Sequence, residues 1–183
     1  MPRIDKPVLV IVCGPPAVGK STIAYELSRA TGIPVIAKDA IKEAMMDHLG
    51  GSPEVGAAAF AVQFAIARAL LVAGMDVILE GAFFRTQSEI AELAELSSPI
   101  VVEVSCSLDV LERRYTSRAG GDRHPGHRGL EALPDLRVRV AAGAYGVPPM
   151  DGPTLAVDTT TGQKPTQVET NAWVIRRLAR NRG

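Results

Sequence analysis

The sequence predicts an α/β fold in which helices cover both faces of a five-stranded parallel sheet. Five short runs of β-branched or apolar residues alternate with stretches of helical periodicity. A chain of 183 residues is long enough for one domain with a substantial core. No internal repeat or linker interrupts the alternation, so we expect a single three-layer domain over residues 1–183.

Glycine and proline mark the ends of the predicted elements. Gly32 and Gly74 fall where helices should end, and Pro34 and Pro99 fall where strands should start. The predicted strands lie near residues 8–13, 34–37, 76–80, 100–105 and 154–158. The predicted helices lie near residues 19–31, 40–49, 54–73, 87–96, 107–118, 130–144 and 167–180.

Composition and charge exclude several classes of protein. The 20 basic residues balance the 20 acidic ones and only 4% are aromatic, which argues against a non-specific nucleic-acid binder, although a local basic groove stays compatible. The helix near 54–73 is small and apolar, but Gln63 and Arg68 interrupt it, so we expect a core helix and no membrane partner. The start, MPRIDKP, has no signal-peptide pattern, and we expect a cytoplasmic protein.

Residues 14–22, GPPAVGKST, follow the first predicted strand and open the first predicted helix. They fit the phosphate-binding pattern G-x-x-x-x-G-K-[ST], in which backbone N–H groups wrap around phosphates. Lys20 would reach the β and γ phosphates, Ser21 would bind Mg²⁺, and Thr22 could contact the α phosphate. A plain turn is the alternative, but the strand and helix favour nucleotide binding. The predicted nucleotide contacts are Gly14, Pro15, Pro16, Ala17, Val18, Gly19, Lys20, Ser21 and Thr22.

Lys38 and Asp39 follow the second predicted strand, at the carboxyl edge of the sheet where ligands bind in open α/β folds. Asp39 could orient a substrate hydroxyl toward the γ phosphate or accept its proton. It could also cap the following helix, and the two roles are compatible. We therefore predict Lys38 and Asp39 as substrate residues, with Asp39 also catalytic.

Glu80 ends the third predicted strand at the same edge. An acidic residue on a neighbouring strand holds Mg²⁺ or its waters in phosphate-loop enzymes, so Glu80 is a metal candidate beside Ser21. The alternative is a structural ion pair with Arg85 or Lys20. Arg85 could instead contact the substrate.

An arginine-rich segment, LERRYTSRAGGDRHPGHRG, starts at Leu111 and breaks from a helix into a loop. Phosphoryl transfer needs positive charge that arrives with the nucleotide, and arginine forms a planar donor fork matched to phosphate. We predict a lid over about 118–130, with Arg118 and Arg123 catalytic and Arg114 stacking on the adenine or bonding phosphate; a solvated loop is the alternative. His124 and His127 have too few neighbouring ligands for a metal site and more plausibly shape the lid or meet substrate.

The last predicted strand ends in the turn Asp158, Thr159 and Thr160. These residues suit a loop beside the nucleotide base, although simple turn chemistry would also explain them.

The chain resembles the small-molecule kinase branch of the P-loop NTPases, which holds shikimate, gluconate and adenylate kinases, zeta-type toxins and polynucleotide kinase domains. It looks most like chloramphenicol phosphotransferase-like proteins. Beside the phosphate loop, the resemblance is carried by Asp39 with Ile41, Glu43, Ala44 and Met45, by Glu80 to Phe84, by Val157 to Thr160, and by Ala172 to Ile175.

The resemblance implies a P-loop NTPase fold with strand order 2-3-1-4-5, a small Arg-rich lid, and transfer of the ATP γ phosphate to a hydroxyl. It places the substrate-side carboxylate on Asp39 and the lid arginines on Arg118 and Arg123. The longer lid segment G-D-R-H-P-G-H departs from the antibiotic kinase and leaves the acceptor open.

These observations predict a kinase that uses ATP and Mg²⁺ and phosphorylates a small hydroxylated molecule, with an antibiotic or other natural product as one plausible acceptor. One alternative is a polynucleotide 5′-hydroxyl kinase or a toxin-like sugar-nucleotide kinase. Another is a nucleotide-binding regulatory module without transferase activity.

Overall fold

The computed structural model of the protein describes residues 6–52, 54–119, 124, 127, 129–146 and 150–181. The strands are β1 (Val8–Cys13), β2 (Val35–Ala37), β3 (Val77–Gly81), β4 (Ser98–Ser105) and β5 (Thr154–Asp158). The helices are α1 (Lys20–Thr31), α2 (Lys38–Leu49), α3 (Val55–Val72), α4 (Gln87–Glu95), α5 (Leu108–Ala119), α6 (Leu133–Ala141) and α7 (Gln167–Asn181). A 3₁₀ turn, Leu130–Ala132, precedes α6.

The five strands form one parallel sheet in the order β2-β3-β1-β4-β5, as predicted. The central strand β1 is buried along its whole length, which explains why its sequence is uniformly apolar instead of alternating. Its residues still point to opposite faces by turns. One face of the sheet receives Val8, Val10 and Val12, and the other receives Leu9, Ile11 and Cys13.

Helices cover both faces of this sheet. The core under Val10 contains Leu27 of α1, Leu111 of α5, Leu136 of α6 and Val174 of α7. The opposite core contains three residues of α3, Phe64, Ala67 and Leu71, together with Ile90 and Leu93 of α4. By length and composition α3 could cross a membrane, but here it packs on β2, β3 and α4.

Several predicted boundaries are displaced: β4 begins at Ser98 instead of near residue 100, so Pro99 lies inside the strand, and α6 ends at Ala141 instead of near residue 144. Two further corrections concern helix starts. Helix α2 begins at Lys38 instead of near residue 40, and Ala37 is its N-cap. The predicted capping role of Asp39 is therefore incorrect, although a carboxylate in the first turn still interacts favourably with the helix dipole. The predicted helix over 130–144 is a 3₁₀ turn followed by α6, because Pro134 starts a new helix in its first turn.

Candidate functional site

The site lies at the carboxyl edge of the sheet. Because all strands are parallel, β1, β2 and β3 end at the same edge. The strand order places the residues after β3 between those after β2 and those after β1. The fold therefore brings the Gly14–Thr22 loop, the Lys38–Asp39 start of α2 and Glu80 to one place, as is usual for ligand sites in this class.

Backbone conformation builds the loop between β1 and α1. Gly14 has φ 140°, and a Cβ atom there would lie 2.0 Å from the carbonyl oxygen of Val104. Gly19 has φ 98° and Ala17 has φ 67°, which is a costly conformation for a residue with a side chain. The loop thus holds a strained, tightly seated conformation immediately before the N-terminus of α1, where backbone N–H groups can receive an anion.

Lys20 is the first residue of α1, and its side chain is buried among charged groups. Its Nζ donates a hydrogen bond to the carbonyl oxygen of Pro15, 2.8 Å away. Burial lowers the pKa of the Lys20 ammonium, while the carboxylates of Glu80 and Asp39 act in the opposite direction. Arg118 adds to the lowering, so this arginine from the end of α5 also lies near the loop.

Glu80 is only 4% exposed at the end of β3. Burial raises the pKa of its carboxyl group, against the lowering effects of Lys20 and of a hydrogen bond from the Ser21 side chain. Lys20 is therefore near Glu80, but its Nζ bonds the Pro15 carbonyl oxygen, and the predicted ion pair between Lys20 and Glu80 is not among the contacts of the described residues. The paired hydroxyl and carboxylate oxygens are also the hard ligands that Mg²⁺ prefers, so these residues fit that ion.

Lys38 and Asp39 form an ion pair in the first turn of α2, with Nζ and Oδ1 3.1 Å apart. Partial desolvation raises the pKa of Asp39, but Lys38, His127 and Lys20 together hold it below its ordinary value. The Lys38 ammonium also lies 5.4 Å from the ring centre of Phe60. Asp39 is therefore held ionised while its side chain stays 53% exposed to an incoming group.

A cavity of about 230 Å³ opens beside the loop, between α1, α5 and the turn after β5. It is lined by Ala17, Val18, Gly19, Thr22, Ile23, Arg114, Arg118, Thr159, Gly162 and Gln163. Six of these ten residues were predicted to contact nucleotide and a seventh, Arg118, was predicted to be catalytic. The cavity is therefore the best candidate for the nucleotide base and sugar.

Thr159 connects this cavity to the phosphate loop. Its hydroxyl lies 2.9 Å from the carbonyl oxygen of Val18 and accepts a hydrogen bond from Arg114. Arg114 also donates to the carbonyl oxygen of Thr159, at 2.7 Å. Two of the Arg114 donors are thus engaged in bracing the turn, a role that the sequence did not indicate.

The other two residues of this turn are engaged locally. Asp158 Oδ1 accepts a hydrogen bond from the Thr160 backbone N–H at 2.8 Å. The Thr160 hydroxyl accepts one from the Ser107 backbone N–H, also at 2.8 Å. These contacts are the turn chemistry that the sequence offered as an alternative, and they do not test nucleotide binding.

Both lid histidines contact helix α2. His127 Nε2 pairs with Glu43 Oε1, and His124 Nε2 lies 2.9 Å from Asp47 Oδ1. The two rings meet edge to face with centroids 6.2 Å apart. Arg123, the other predicted catalytic arginine of this segment, lies outside the described residues.

Arg85 packs on an aromatic ring and has no described contact with Lys20, Asp39 or Glu80. Its guanidinium carbon lies 5.0 Å from the ring centre of Phe84, and Arg139 lies on the same ring at 4.8 Å. Phe84 in turn packs edge-on against Tyr145. The predicted pairing of Arg85 with Glu80 is not among the described contacts, and its substrate role stays a prediction.

Sequence reasoning missed three polar residues beside the site. Gln63 is fully buried in α3, and its Nε2 donates to the carbonyl oxygens of Ile36 and Glu80, each at 2.8 Å. It therefore ties the ends of β2 and β3 together. Its position as a lone amide in an apolar helix was a usable signal. Glu43 and Asp47 follow Asp39 at four-residue spacing, which places all three acids on one face of α2.

Comparisons with known proteins agree with this architecture. The sequence profile of the AAA domain family matches residues 9–142. An uncharacterized protein of Mycobacterium tuberculosis is 32% identical over 130 residues, covering 62% of this chain. The matched region is 26% of that protein, so the chain spans about a quarter of the length of this curated relative.

Solved structures of kinases share the fold. A protein of Chloroflexus aurantiacus described as a candidate kinase is 34% identical, with a TM-score of 0.83 over 93% of this chain and 98% of its own. A gluconokinase of Sinorhizobium meliloti is 21% identical, with a TM-score of 0.57 over 98% and 96% of the two chains. A shikimate kinase of Acinetobacter baumannii is 18% identical, with a TM-score of 0.56 over 96% and 94%. The last two establish the fold alone.

Proposed function

We propose that this chain, which belongs to the AAA domain family of phosphate-loop proteins, is a cytoplasmic kinase that transfers the γ phosphate of ATP to a hydroxyl group of a small molecule. An antibiotic or other natural product is one class of acceptor. One observation carries the proposal: Lys20 lies close enough to both Asp39 and Glu80 for each carboxylate to affect its pKa. The lysine of the phosphate-loop pattern and two carboxylates, one at the start of α2 and one on β3, are thus near one another at the carboxyl edge of the sheet.

On the donor side, the protein's own groups would position the phosphates and offset their charge. The loop backbone would hold the phosphates, and Lys20 would exchange its bond to Pro15 for phosphate oxygens. Ser21 and Glu80 would hold Mg²⁺, which when bound offsets charge on the β and γ phosphates. Arg118, with Arg123 from the same lid, would stabilise the transferring group.

On the acceptor side, Asp39 would orient the hydroxyl toward the phosphate. Its lowered pKa makes it a weak base, so orientation is the role that its electrostatics favour. Lys38, which is paired with Asp39, would supply positive charge for the acceptor, and Arg85, which lies on the Phe84 ring, would contact a more distant part of it. Rate enhancement would come chiefly from position and charge stabilisation, as is general for phosphoryl transfer.

The test measures ADP release with a panel of acceptors comprising gluconate, shikimate, adenosine 5′-phosphosulfate and chloramphenicol. Lys20→Ala should lower ADP release at least about a hundredfold because it removes a charge from the transition state. Asp39→Asn should leave ATP binding intact and lower transfer by at least about a hundredfold. The matched control is Lys6→Ala, because Lys6 is exposed and bonds the Glu95 carbonyl instead of the site.

Two outcomes would contradict this proposal in different ways. Unchanged transfer in Asp39→Asn would remove Asp39 from the mechanism and leave the kinase assignment standing. A protein that binds ATP but transfers phosphate to no acceptor in the panel would contradict the kinase assignment and support a regulatory nucleotide-binding module.

A further inference from the structure

We infer that His127, oriented by Glu43, is the group that accepts the proton of the attacking hydroxyl, a role that rests on the proposed kinase function. The His127 side chain is only 9% exposed, and its Nε2 is paired with Glu43. Within the described part of the chain, no hydrogen-bond partner meets its second ring nitrogen, Nδ1. A nearly buried imidazole with one nitrogen fixed and the other available is equipped to accept a proton.

The position of His127 supports this role. Glu43 follows Asp39 by four residues on α2, and residues at that spacing lie side by side on one helix face. Because His127 contacts Glu43, its ring lies next to the face from which Asp39 projects. An electrostatic effect of the His127 ring on the pKa of Asp39 independently places the two groups near each other.

Asp39 itself is poorly suited to accept the proton. Its carboxylate is paired with Lys38, 3.1 Å away, and its pKa is lowered. A carboxylate with a lowered pKa binds a proton weakly and is therefore a poor general base. Imidazole changes its charge between about pH 5 and 8, so it matches the needs of a base near neutral pH better than a paired carboxylate does. The two tasks are therefore divided: Asp39 orients the hydroxyl and His127 takes its proton.

Glu43 sets the form of the ring that this division requires. When Nε2 carries the hydrogen and donates it to Glu43, the lone pair of the neutral ring lies on Nδ1. An acidic partner that fixes the tautomer in this way also stabilises the imidazolium ion formed after proton transfer. Glu43 is thus a positioning residue that acts through His127.

The proposed step balances as follows. The O–H bond of the acceptor breaks, and its proton moves to Nδ1 of His127. The oxygen lone pair forms a bond to the γ phosphorus of ATP, the bond from that phosphorus to the β,γ-bridging oxygen breaks, and ADP leaves with the electron pair. The proton on His127 returns to solvent after product release.

Among the residues that the structure describes, the charged and titratable groups placed near His127 are Asp39 and Glu43 from α2 and His124 from its own segment. Lys38 is paired with Asp39, with Nζ and Oδ1 3.1 Å apart. A rate that depends on neutral His127 should fall as the solution is acidified, because the imidazolium ion has no lone pair to offer.

The structure supplies a matched control in the second histidine–carboxylate pair. His124 contacts Asp47, which lies one further turn along α2 from Glu43 and two turns from Asp39. If both pairs only fasten their segment to α2, glutamine at either histidine should have the same effect. If His127 is the base, only its replacement should stop proton transfer.

The assay measures ADP release from ATP and Mg²⁺ with water as the attacking hydroxyl, so it needs no identified acceptor, and repeats the measurement with each compound of the acceptor panel. His127→Gln should lower kcat by about a hundredfold with the KM for ATP unchanged, and should remove the loss of rate on acidification. His124→Gln should lower kcat much less than His127→Gln does and should keep the loss of rate on acidification. Equal losses in the two variants, or an unchanged acid limb in His127→Gln, would overturn the assignment.

A spectroscopic measurement keeps the inference testable apart from turnover. Nitrogen NMR of the wild-type protein at neutral pH should find hydrogen on Nε2 of His127 and none on Nδ1, and Glu43→Gln should weaken this preference. Hydrogen on Nδ1 would overturn the inference. If His127→Gln still transfers phosphate to an acceptor, the role of His127 is overturned and the kinase proposal stands. If the wild-type protein transfers phosphate to no acceptor, the kinase proposal is overturned together with the role of His127.

Discussion

The two sides of the candidate site, which we propose hold the phosphate donor and the acceptor, are built by different means. On the donor side, the loop from Gly14 to Gly19 takes its shape from positive φ angles, and Lys20 bonds to the backbone of that same loop. On the acceptor side, helix α2 is held by side-chain pairs, including one between Glu43 and a histidine 84 positions away. The donor side is therefore specified by consecutive residues and the acceptor side by tertiary contacts.

This difference has a consequence for how each side can change. A backbone-built loop fails when a side chain intrudes, because the phosphate-binding N–H groups move together. In a surface formed by paired side chains, by contrast, single residues can be substituted without moving the backbone. Such a division suits a fold that keeps one donor and accommodates different acceptors, since function lies in sites placed on a shared scaffold.

The largest effect we predict comes from adding a single methyl group to the phosphate loop, at Gly14. Gly14→Ala would place Cβ 2.0 Å from the Val104 carbonyl oxygen at a φ of 140°, so backbone must move. The free energy of unfolding should fall by about 3 kcal/mol or more, and nucleotide binding should be lost. Urea unfolding and ATP titration measure both quantities.

Gly19→Ala is the matched control, because its φ is 98° but no atom lies within 4 Å of the added Cβ. It carries only the strain of an unfavourable conformation, which costs about 1 to 3 kcal/mol. A Gly14→Ala protein no less stable than Gly19→Ala would contradict the view that close packing against β4 fixes the loop.

The same contrast explains what the sequence could predict. The fold followed from five apolar runs alternating with helices, and the family resemblance implied the strand order that the sheet has. The loop at Gly14–Ser21 was identifiable because its conformation depends on residue types at fixed spacing. Helix starts were less predictable, since the cap at Ala37 uses no side-chain hydrogen bond and so leaves no signal.

The partners of the acceptor side could not be predicted in the same way. His127 and Glu43 are far apart in the chain, and nothing local to either residue indicates the other. The bonds from Gln63 to the ends of β2 and β3 also depend on how α3 lies on the sheet. A buried amide could be suspected from the sequence, but its two carbonyl partners required the fold.

The second predicted effect concerns the charge of Glu80. The folded protein holds the pKa of Glu80 above its ordinary value of 4.5, so the carboxylate that forms as pH rises costs folding free energy. Below the ordinary pKa of 4.5 this cost is absent, and it grows as the pH rises through the folded-state pKa of Glu80. In the absence of nucleotide, wild type should therefore lose stability relative to Glu80→Gln between acidic and neutral pH, as measured by urea unfolding in a series of buffers.

The same variant should need about tenfold more Mg²⁺ for half-maximal ADP release, because it lacks the buried carboxylate. Glu89→Gln, at an exposed position on α4, is the control and should change neither quantity. A Glu80→Gln protein that becomes less stable than wild type as pH rises would show that the carboxylate is a structural partner of Lys20 first.

The smallest predicted effect has the opposite sign and belongs to Asp39. The pKa of Asp39 is lowered in the folded protein, so its charge adds stability above its ordinary value of 3.8 and loses that contribution as pH falls through the folded-state pKa. Because the Asp39 side chain is 53% exposed, solvent screening keeps the contribution of its charge to the free energy of unfolding below about 1 kcal/mol. Wild type should exceed Asp39→Asn in urea unfolding at neutral pH, and the excess should disappear as the solution is acidified well below the ordinary pKa of 3.8. Added salt should reduce the stability difference between wild type and Asp39→Asn, because salt screens exposed charges. It should leave the difference between wild type and Glu80→Gln nearly unchanged, because Glu80 is buried. Equal salt sensitivity at both carboxylates would mean that the two sides of the site do not differ in solvent access.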